Sequence, residues 1–223
     1  MKRRTVEEVM TTEVVTVAED APFTEIAETL ADRRISAVPV LDAGGRVTGV
    51  VTEADLLRKE EFRPDDLGQR PLRGRRRHHA FAKARAVDAR GLMSAPAVTV
   101  EPGATVAEAA RLLASRGFKA APVVDGDGVL RGIVARRDLL SVFHRGDDDI
   151  RDEIVVDVLV CRLWQDPSEV SVQVRDGVVR LSGRLELKSL IPVLVRMTAA
   201  TEGVVDVIGD LSYERDDTRF SGP

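Results

Sequence analysis

Thr52 and Asp55 are the residues of this 223-residue chain whose types and spacing best suit chemistry. An apolar run ends at Val51 and a helix-forming stretch follows, which puts both side chains at a helix start. An ionised carboxylate there can accept two hydrogen bonds from adjacent hydroxyls. A threonine hydroxyl beside free backbone N–H groups can hold a phosphate. The same pair is also an ordinary helix cap, worth ~0.5–2 kcal/mol with no ligand involved, and spacing alone favours the cap. A second copy of the pattern shifts the balance. Asp138 is the counterpart of Asp55 in that copy, but Ala135 replaces the threonine. The loss of the hydroxyl is expected to remove the reciprocal cap while the carboxylate stays. That favours a ligand role, although the helix dipole also suits an Asp there.

The duplication that carries these residues is extensive. Val9–Leu57 lies on Leu92–Leu140 without a gap, pairing Met10 with Met93, Pro39 with Pro122, Gly49 with Gly132 and Asp55 with Asp138. A duplicated unit of this size is expected to pack against its copy and leave a pseudo-symmetric cleft. Each copy reads β-α-β-β-α. Thr5-Val6-Glu7-Glu8 has capping-box spacing, with Asp88 the aligned starter in the second copy. Val14–Val17 and Val98–Val100 are β-rich. An amphipathic helix follows near Thr24–Arg34, with Phe23, Ile26, Ala27 and Leu30 on one face. Its counterpart begins at a Thr105/Glu108 capping box, with Val106, Ala109, Ala110 and Leu113 inward. Ala37–Leu41 and Ala120–Val124 are buried strands, in which proline implies an edge or an open ladder. Turns at Asp42–Gly45 and Asp125–Gly128 lead to strands Val47–Val51 and Leu130–Val134, and second helices start at Thr52 and Ala135.

The expected domains are residues 5–60, a basic insertion over 61–87, residues 88–145, a small α+β domain over 150–213, and a polar tail over 214–223. The insertion centres on Arg70–Arg77, followed by His78 and His79, and residues 80–90 suit a helix. Gly146-Asp147-Asp148-Asp149 reads as a linker. Beyond it, Ile150, Ile154, Val158 and Leu159 fit a helix ending near Trp164. Val170, Val172 and Val174 alternate before an Asp176-Gly177 hairpin, and Val179 and Leu181 alternate after it. Glu186–Thr201 reads as a helix started late or kinked by Pro192. Gly203–Tyr213 reads as a last strand with Val205, Val207 and Leu211 inward, giving the order α-β-β-α-β.

Composition narrows the function. A hydrophobic content of 43% supports real cores. The net charge is −4 but uneven, with +6 over residues 58–90 and −7 over residues 147–223. One cysteine, Cys161, excludes an intramolecular disulfide, and three histidines without a cluster argue against a metal. No nucleophile–base arrangement stands out, so no catalytic residue is assigned. Met1-Lys2-Arg3-Arg4 is not followed by an apolar signal core, and no apolar run approaches the ~20 residues of a membrane helix, so the chain is expected to be cytoplasmic. The arginine-rich insertion matches no groove-reading motif, and nucleic acid is not expected as a partner.

Two segments resemble known families. Val9-Met10-Thr11, Ile35-Ser36-Ala37-Val38-Pro39-Val40 and Gly49-Val50-Val51-Thr52-Glu53-Ala54-Asp55, with their second copies, resemble a tandem pair of cystathionine-β-synthase (CBS) domains. Gly177–Gly183 and Glu202–Val207 resemble a BON domain. The implied fold class is α/β and α+β: two β-α-β-β-α CBS repeats packed as one pseudo-twofold module, plus an α-β-β-α-β BON domain. The CBS resemblance implies a regulatory module binding an adenosine-type small molecule (AMP, ADP, ATP or a related adenosyl ligand), pairing as a homodimer, with no cofactor required. Its Gly-x-x-Thr-x-x-Asp motif is intact at Gly49, Thr52 and Asp55, so Asp55→Ala is expected to weaken nucleotide binding at least tenfold. The further ligand-binding candidates are Thr16, Ser36, Ala37, Val38 and Pro39 in the first copy. In the second they are Thr99, Lys119, Ala120, Pro122, Gly132, Arg136 and Asp138, with Arg137 beside them. The BON resemblance implies an accessory domain with a lipid or protein partner, although its negative charge opposes attraction to an anionic membrane. The rival readings are a ligand-free dimerisation scaffold and a nucleic-acid or membrane-surface adaptor working through the insertion.

Overall fold

The computed structural model of the protein describes residues 4–62 and 81–218. The arginine cluster Arg70–Arg77 and His78–His79 lie outside the described residues. The chain divides into one unit over Arg4–Leu139 and a second from Leu140 onward.

In the first unit, copy one holds β1 (Val17–Ala18), α1 (Phe23–Arg33), β2 (Ala37–Leu41), β3 (Val47–Thr52) and α2 (Glu53–Glu61). After a helical turn over residues 81–85, copy two holds α3 (Ala89–Leu92), α4 (Val106–Arg116), β4 (Ala120–Val124), β5 (Leu130–Ala135) and α5 (Arg136–Leu139). β2 pairs with β3 in antiparallel register Val38↔Val51, and β4 with β5 in register Ala121↔Val134. The parallel contact on the other side of β2 and β4 is short: Val17↔Val40 in copy one and the single bridge Val100↔Val123 in copy two. Val14–Thr16 and Val98–Thr99 are irregular rather than β, so the first strand is shorter than the valine-rich sequence suggests. That brevity accommodates the prolines. Val100 N–H donates to the Pro122 carbonyl and Val124 N–H to Val100, so the missing N–H of Pro122 faces a ladder that has not yet begun.

The two copies interlock through their N-terminal segments. Thr11 and Ile133 exchange both backbone hydrogen bonds, and their counterparts Ser94 and Val50 do the same. Thr5↔Thr105 and Pro22↔Asp88 form a second symmetric pair of bridges, and the hairpin tips meet at Arg46↔Val129. Thr5 is therefore used across the copies and makes no side-chain cap; the expected Thr5–Glu8 capping box is only a 3-10 turn, Val6–Glu8. The Thr105/Glu108 box does form, with Glu108 N–H to Thr105 Oγ1 at 3.3 Å and Thr105 N–H to Glu108 Oε2 at 2.8 Å.

Gly49 and Gly132 serve this interlock. A Cβ on Gly49 would fall inside van der Waals contact of Met93 Sδ, and one on Gly132 inside that of Met10 Sδ, so each glycine admits the methionine of the other copy. In the hairpins, Asp42 and Asp125 accept backbone N–H groups at 2.8–3.0 Å. The Val129 N–H, with those of Asp127 and the Arg131 guanidinium, holds the Asp125 carboxyl below its usual value.

Ile26 and Leu30 of α1 and Val106, Ala109 and Leu113 of α4 are buried, while Ala110, expected inward, is exposed. Both helices end on a left-handed residue: Gly117 with φ 69°, and Arg34 with φ 52°. A side chain there costs about 1 kcal/mol that glycine does not. Arg34→Gly is expected to raise the stability of this unit by about 0.5–1 kcal/mol in chemical denaturation, and a lowered midpoint would contradict it.

The second unit holds α6 (Asp147–Glu153), which runs into a π-helix over Ile154–Val160, then β6 (Val170–Arg175), β7 (Val178–Leu187), α7 (Leu190–Ala199) and β8 (Asp206–Arg215). The order is β6-β7-β8, with β7–β8 parallel. Ile150, Ile154, Val158 and Leu159 are all buried against Val170, Leu181 and Leu194. The expected linker Asp147–Asp149 is instead the first turn of α6, where acidic residues suit the helix dipole. Asp147 also accepts the N–H groups of Asp176 and Gly177, at 2.8 and 2.9 Å, inside the hairpin turn. Glu186 and Leu187 belong to β7 and not to the helix, because β7 pairs with β8 as far as Leu187↔Arg215. Pro192 sits in the first turn of α7, where its missing N–H is not needed. Val205, expected inward, precedes β8 and is exposed.

Candidate ligand-binding site

Two cavities of about 380 and 360 Å³ lie where the two copies meet. Each is large enough for a nucleoside-sized ligand. Every residue lining the smaller has its counterpart from the other copy in the lining of the larger. Thr11 answers to Ser94, Ile35 to Phe118, Ile133 to Val50, and Asp138 to Asp55. The pair Ser36–Ala37 and its counterpart Lys119–Ala120 line both cavities and separate them. The duplication thus generates two half-equivalent sites. Each combines the second-helix start of one copy with the N-terminal segment of the other.

The larger cavity brings together Ser36, Ala37, Thr52, Asp55, Lys119, Ala120 and Pro122 from the sequence candidates. The smaller brings together Ser36, Ala37, Lys119, Ala120, Arg136 and Asp138, with Arg137. Thr16, Val38, Pro39, Gly49, Thr99 and Gly132 line neither. Val38 is fully buried in the core of the first copy, and the two glycines lie beneath Met93 and Met10. Lining residues not singled out from the sequence include Thr11, Arg34 and Phe118.

At the start of α2, Asp55 Oδ2 accepts from the Thr52 N–H at 2.9 Å and from the Thr52 hydroxyl at 2.7 Å. At the start of α5, Asp138 Oδ2 accepts from the Ala135 N–H at 2.8 Å. The cap is no longer reciprocal, but its backbone half survives the change to alanine, because it needs no hydroxyl. Arg136 is committed locally: its Nε donates to the Phe118 carbonyl at 2.7 Å, just past the end of α4. Lys119 faces Glu53 across the copies at 3.7 Å with both side chains largely exposed, a contact worth little.

The residue that sequence reasoning missed is Lys83, from the helical turn over residues 81–85. Its Nζ donates to Asp55 Oδ1 at 2.6 Å and to Ser94 Oγ at 2.9 Å, so it touches one residue of each copy. Its side chain is 8% exposed and that of Asp55 13%. The end of the insertion is held in place by Lys59, whose Nζ donates to the Ala86 carbonyl at 2.9 Å and lies over the Phe23 ring, and by Phe62 packing edge-on against Phe81.

Comparison with known proteins places the chain in a family. The CBS domain model matches residues 6–61 and 89–145, and the BON domain model residues 147–215. The chain is a CBS-domain protein with a C-terminal BON domain. Its CBS pair is 28% identical over 141 residues to an uncharacterized protein of Methanocaldococcus jannaschii, covering 57% of this chain and 84% of that one. It is 30% identical over 145 residues to an uncharacterized protein of Methanopyrus kandleri, covering 64% of each. Among solved structures, CBSX2 in complex with AMP superposes with a TM-score of 0.54 at 26% identity, covering 61% of this chain and 94% of that one. Among the described residues, no helix is long and apolar enough to cross a membrane, and no group of three or more His, Cys, Asp or Glu residues could hold a metal ion.

Proposed function

We propose that this is a non-enzymatic, cytoplasmic regulatory protein whose CBS pair binds an adenosine-containing ligand of the AMP, ADP or ATP class. The observation that carries the reading is the pair of symmetry-related cavities, each with a carboxylate at a helix start beside backbone N–H groups. That combination suits a vicinal diol and a phosphate together. The AMP complex of CBSX2 supports it. Ligand that bridges the two copies favours one arrangement of them, and the shift in population is the signal. The BON domain is the accessory or output element, with a lipid or protein partner, and it leaves Val156 and Val160 of the π-helix and Trp164 beyond its end exposed. The CBS pair associates as a homodimer, for which Leu57 on α2, 64% exposed, supplies apolar surface.

A thermal-shift panel of AMP, ADP, ATP, NAD and S-adenosylmethionine tests the reading. A ligand that binds only the folded state adds about 2.7 kcal/mol at a hundredfold excess over Kd, a shift of several degrees. At least one of the five is expected to raise the melting temperature in a saturable way. Five flat responses, with the chain still dimeric by sedimentation, would leave a ligand-free scaffold.

A further inference from the structure

α1 and α4 occupy the same place in the repeat and both end on a left-handed residue, but the two copies fill that position with opposite choices. Copy two has Gly117, with φ 69°, and copy one has Arg34, with φ 52°. A side chain is strained in that conformation and glycine is not. Space does not account for the difference, because a Cβ built on Gly117 would meet nothing within 4 Å. The helix dipole does not account for it either. Arg33 and its counterpart Arg116 already supply a cation to the last turn of each helix. Nor is Arg34 held for the sake of packing. Its side chain is exposed, and among the described residues it makes no hydrogen bond or ion pair.

What Arg34 does line is the smaller cavity, where Gly117 holds the equivalent place in the larger one. The other cations of the smaller cavity already contact protein groups. Arg136 donates to the Phe118 carbonyl at 2.7 Å, Arg137 lies 3.7 Å from Asp138, and Lys119 lies 3.7 Å from Glu53. Glu13 and Asp138 are the acidic residues of the lining. A guanidinium at a cavity wall can offer two parallel N–H donors to a phosphate, and this one breaks no bond to the described protein in doing so. Strained backbone of this kind collects at ligand sites.

Building on the adenosine-ligand reading, we propose that Arg34 is a specificity-determining residue of the smaller cavity, where it contacts the phosphate and selects a phosphorylated nucleoside over an unphosphorylated one. Copy one then keeps an arginine on strained backbone for the ligand, at the position where copy two has the unstrained glycine.

Calorimetric titration of the full chain with AMP, ATP and adenosine, at low and high salt, tests this. Arg34→Asn removes the guanidinium and relieves strain, since asparagine enters the left-handed region more readily than most residues. It is expected to weaken AMP or ATP, whichever the wild type takes, at least fivefold at one site. It should also flatten the salt dependence of that affinity. Adenosine, weaker from the start, should bind as before, and the unfolding midpoint should hold or rise. An unchanged nucleotide isotherm would overturn the proposal, as would a wild type that takes adenosine as tightly as AMP and ATP. Equal losses for nucleotide and adenosine, or a loss with a lowered midpoint, would make Arg34 a structural residue and overturn it too. Should Arg34→Asn fail to fold by circular dichroism, Arg34→Gly, which copies Gly117, is held to the same outcomes. No binding of any of the three to the wild type, with NAD and S-adenosylmethionine flat in the thermal-shift panel, would remove the adenosine-ligand reading and this proposal with it. Nucleotide binding that the variant leaves untouched removes this proposal alone.

Discussion

Asp55→Ala is expected to cost the CBS pair about 3 kcal/mol of stability, because it strands Lys83. The lysine side chain is 8% exposed and its two acceptors are Asp55 and Ser94. With the carboxylate gone, a buried ammonium keeps a single neutral partner, and removing one member of a buried pair typically costs about 3–5 kcal/mol. Loss of the cap at Thr52 adds to this. The reverse change is expected to be milder. Lys83→Met leaves Asp55 with both Thr52 donors, and the double variant Asp55→Ala/Lys83→Met should recover much of what Asp55→Ala alone loses. The coupling energy of that cycle is expected to exceed about 1 kcal/mol. Trp164 and Tyr213, the chain's one tryptophan and one tyrosine, both belong to the C-terminal unit, so their fluorescence is a poor reporter here. Hydrogen exchange of the β2–β3 amides follows the right transition. A loss within about 0.5 kcal/mol, the usual range of an ordinary surface substitution, with no coupling, would mean that the Lys83–Asp55 bond contributes nothing.

What the sequence conveyed and what it withheld follow from the range of the interactions involved. Helix and strand identities came through where periodicity was strong, as in α1, α4 and the β6–β7 hairpin, because one buried face repeats along the chain. The duplication also announced a pseudo-twofold cleft, and the linings of the two cavities obey it residue by residue. The elements that failed were those decided by a partner far away in sequence. Val14–Thr16 has β-forming residues but lies where its neighbours offer no ladder. Thr5 has a cap's spacing but pairs across the copies with Thr105. Gly49 reads as a ligand-approach glycine, yet Met93 of the other copy covers it. Lys83 is one of many basic residues between positions 58 and 90, and no local pattern marks which of them turns inward. Only the docking of residues 81–87 through Lys59 and Phe62 brings it to Asp55. Symmetry in the sequence thus sets the number and shape of the cavities, while Lys83, from the unduplicated segment, is a contact at Asp55 that the repeat does not foretell.

Asp138 is the second copy's counterpart of Asp55 and its candidate for the ribose contact. Asp138→Ala is expected to weaken AMP and ATP binding at least tenfold, about 1.4 kcal/mol, by calorimetry. Tenfold is a floor, since hydrogen bonds to a charged group are worth about 1.5–3 kcal/mol each and a diol would make two. The variant also gives up the cap on the Ala135 N–H, for which about 1 kcal/mol of stability is the usual cost. Loss of affinity without unfolding therefore separates the ligand role from the capping role that the sequence could not exclude. Asp138→Asn sharpens the comparison. An amide oxygen can keep the Ala135 cap but cannot accept two hydroxyls as a carboxylate does, so stability should be largely restored and affinity should not. The cations around Asp138 give a second readout: ATP affinity should fall more steeply with salt than AMP affinity, because more phosphate charge faces Arg34 and Arg137. Wild-type affinity in Asp138→Ala, with the loss falling on Asp55→Ala instead, would return the ribose to the first copy, where its complete motif had placed it.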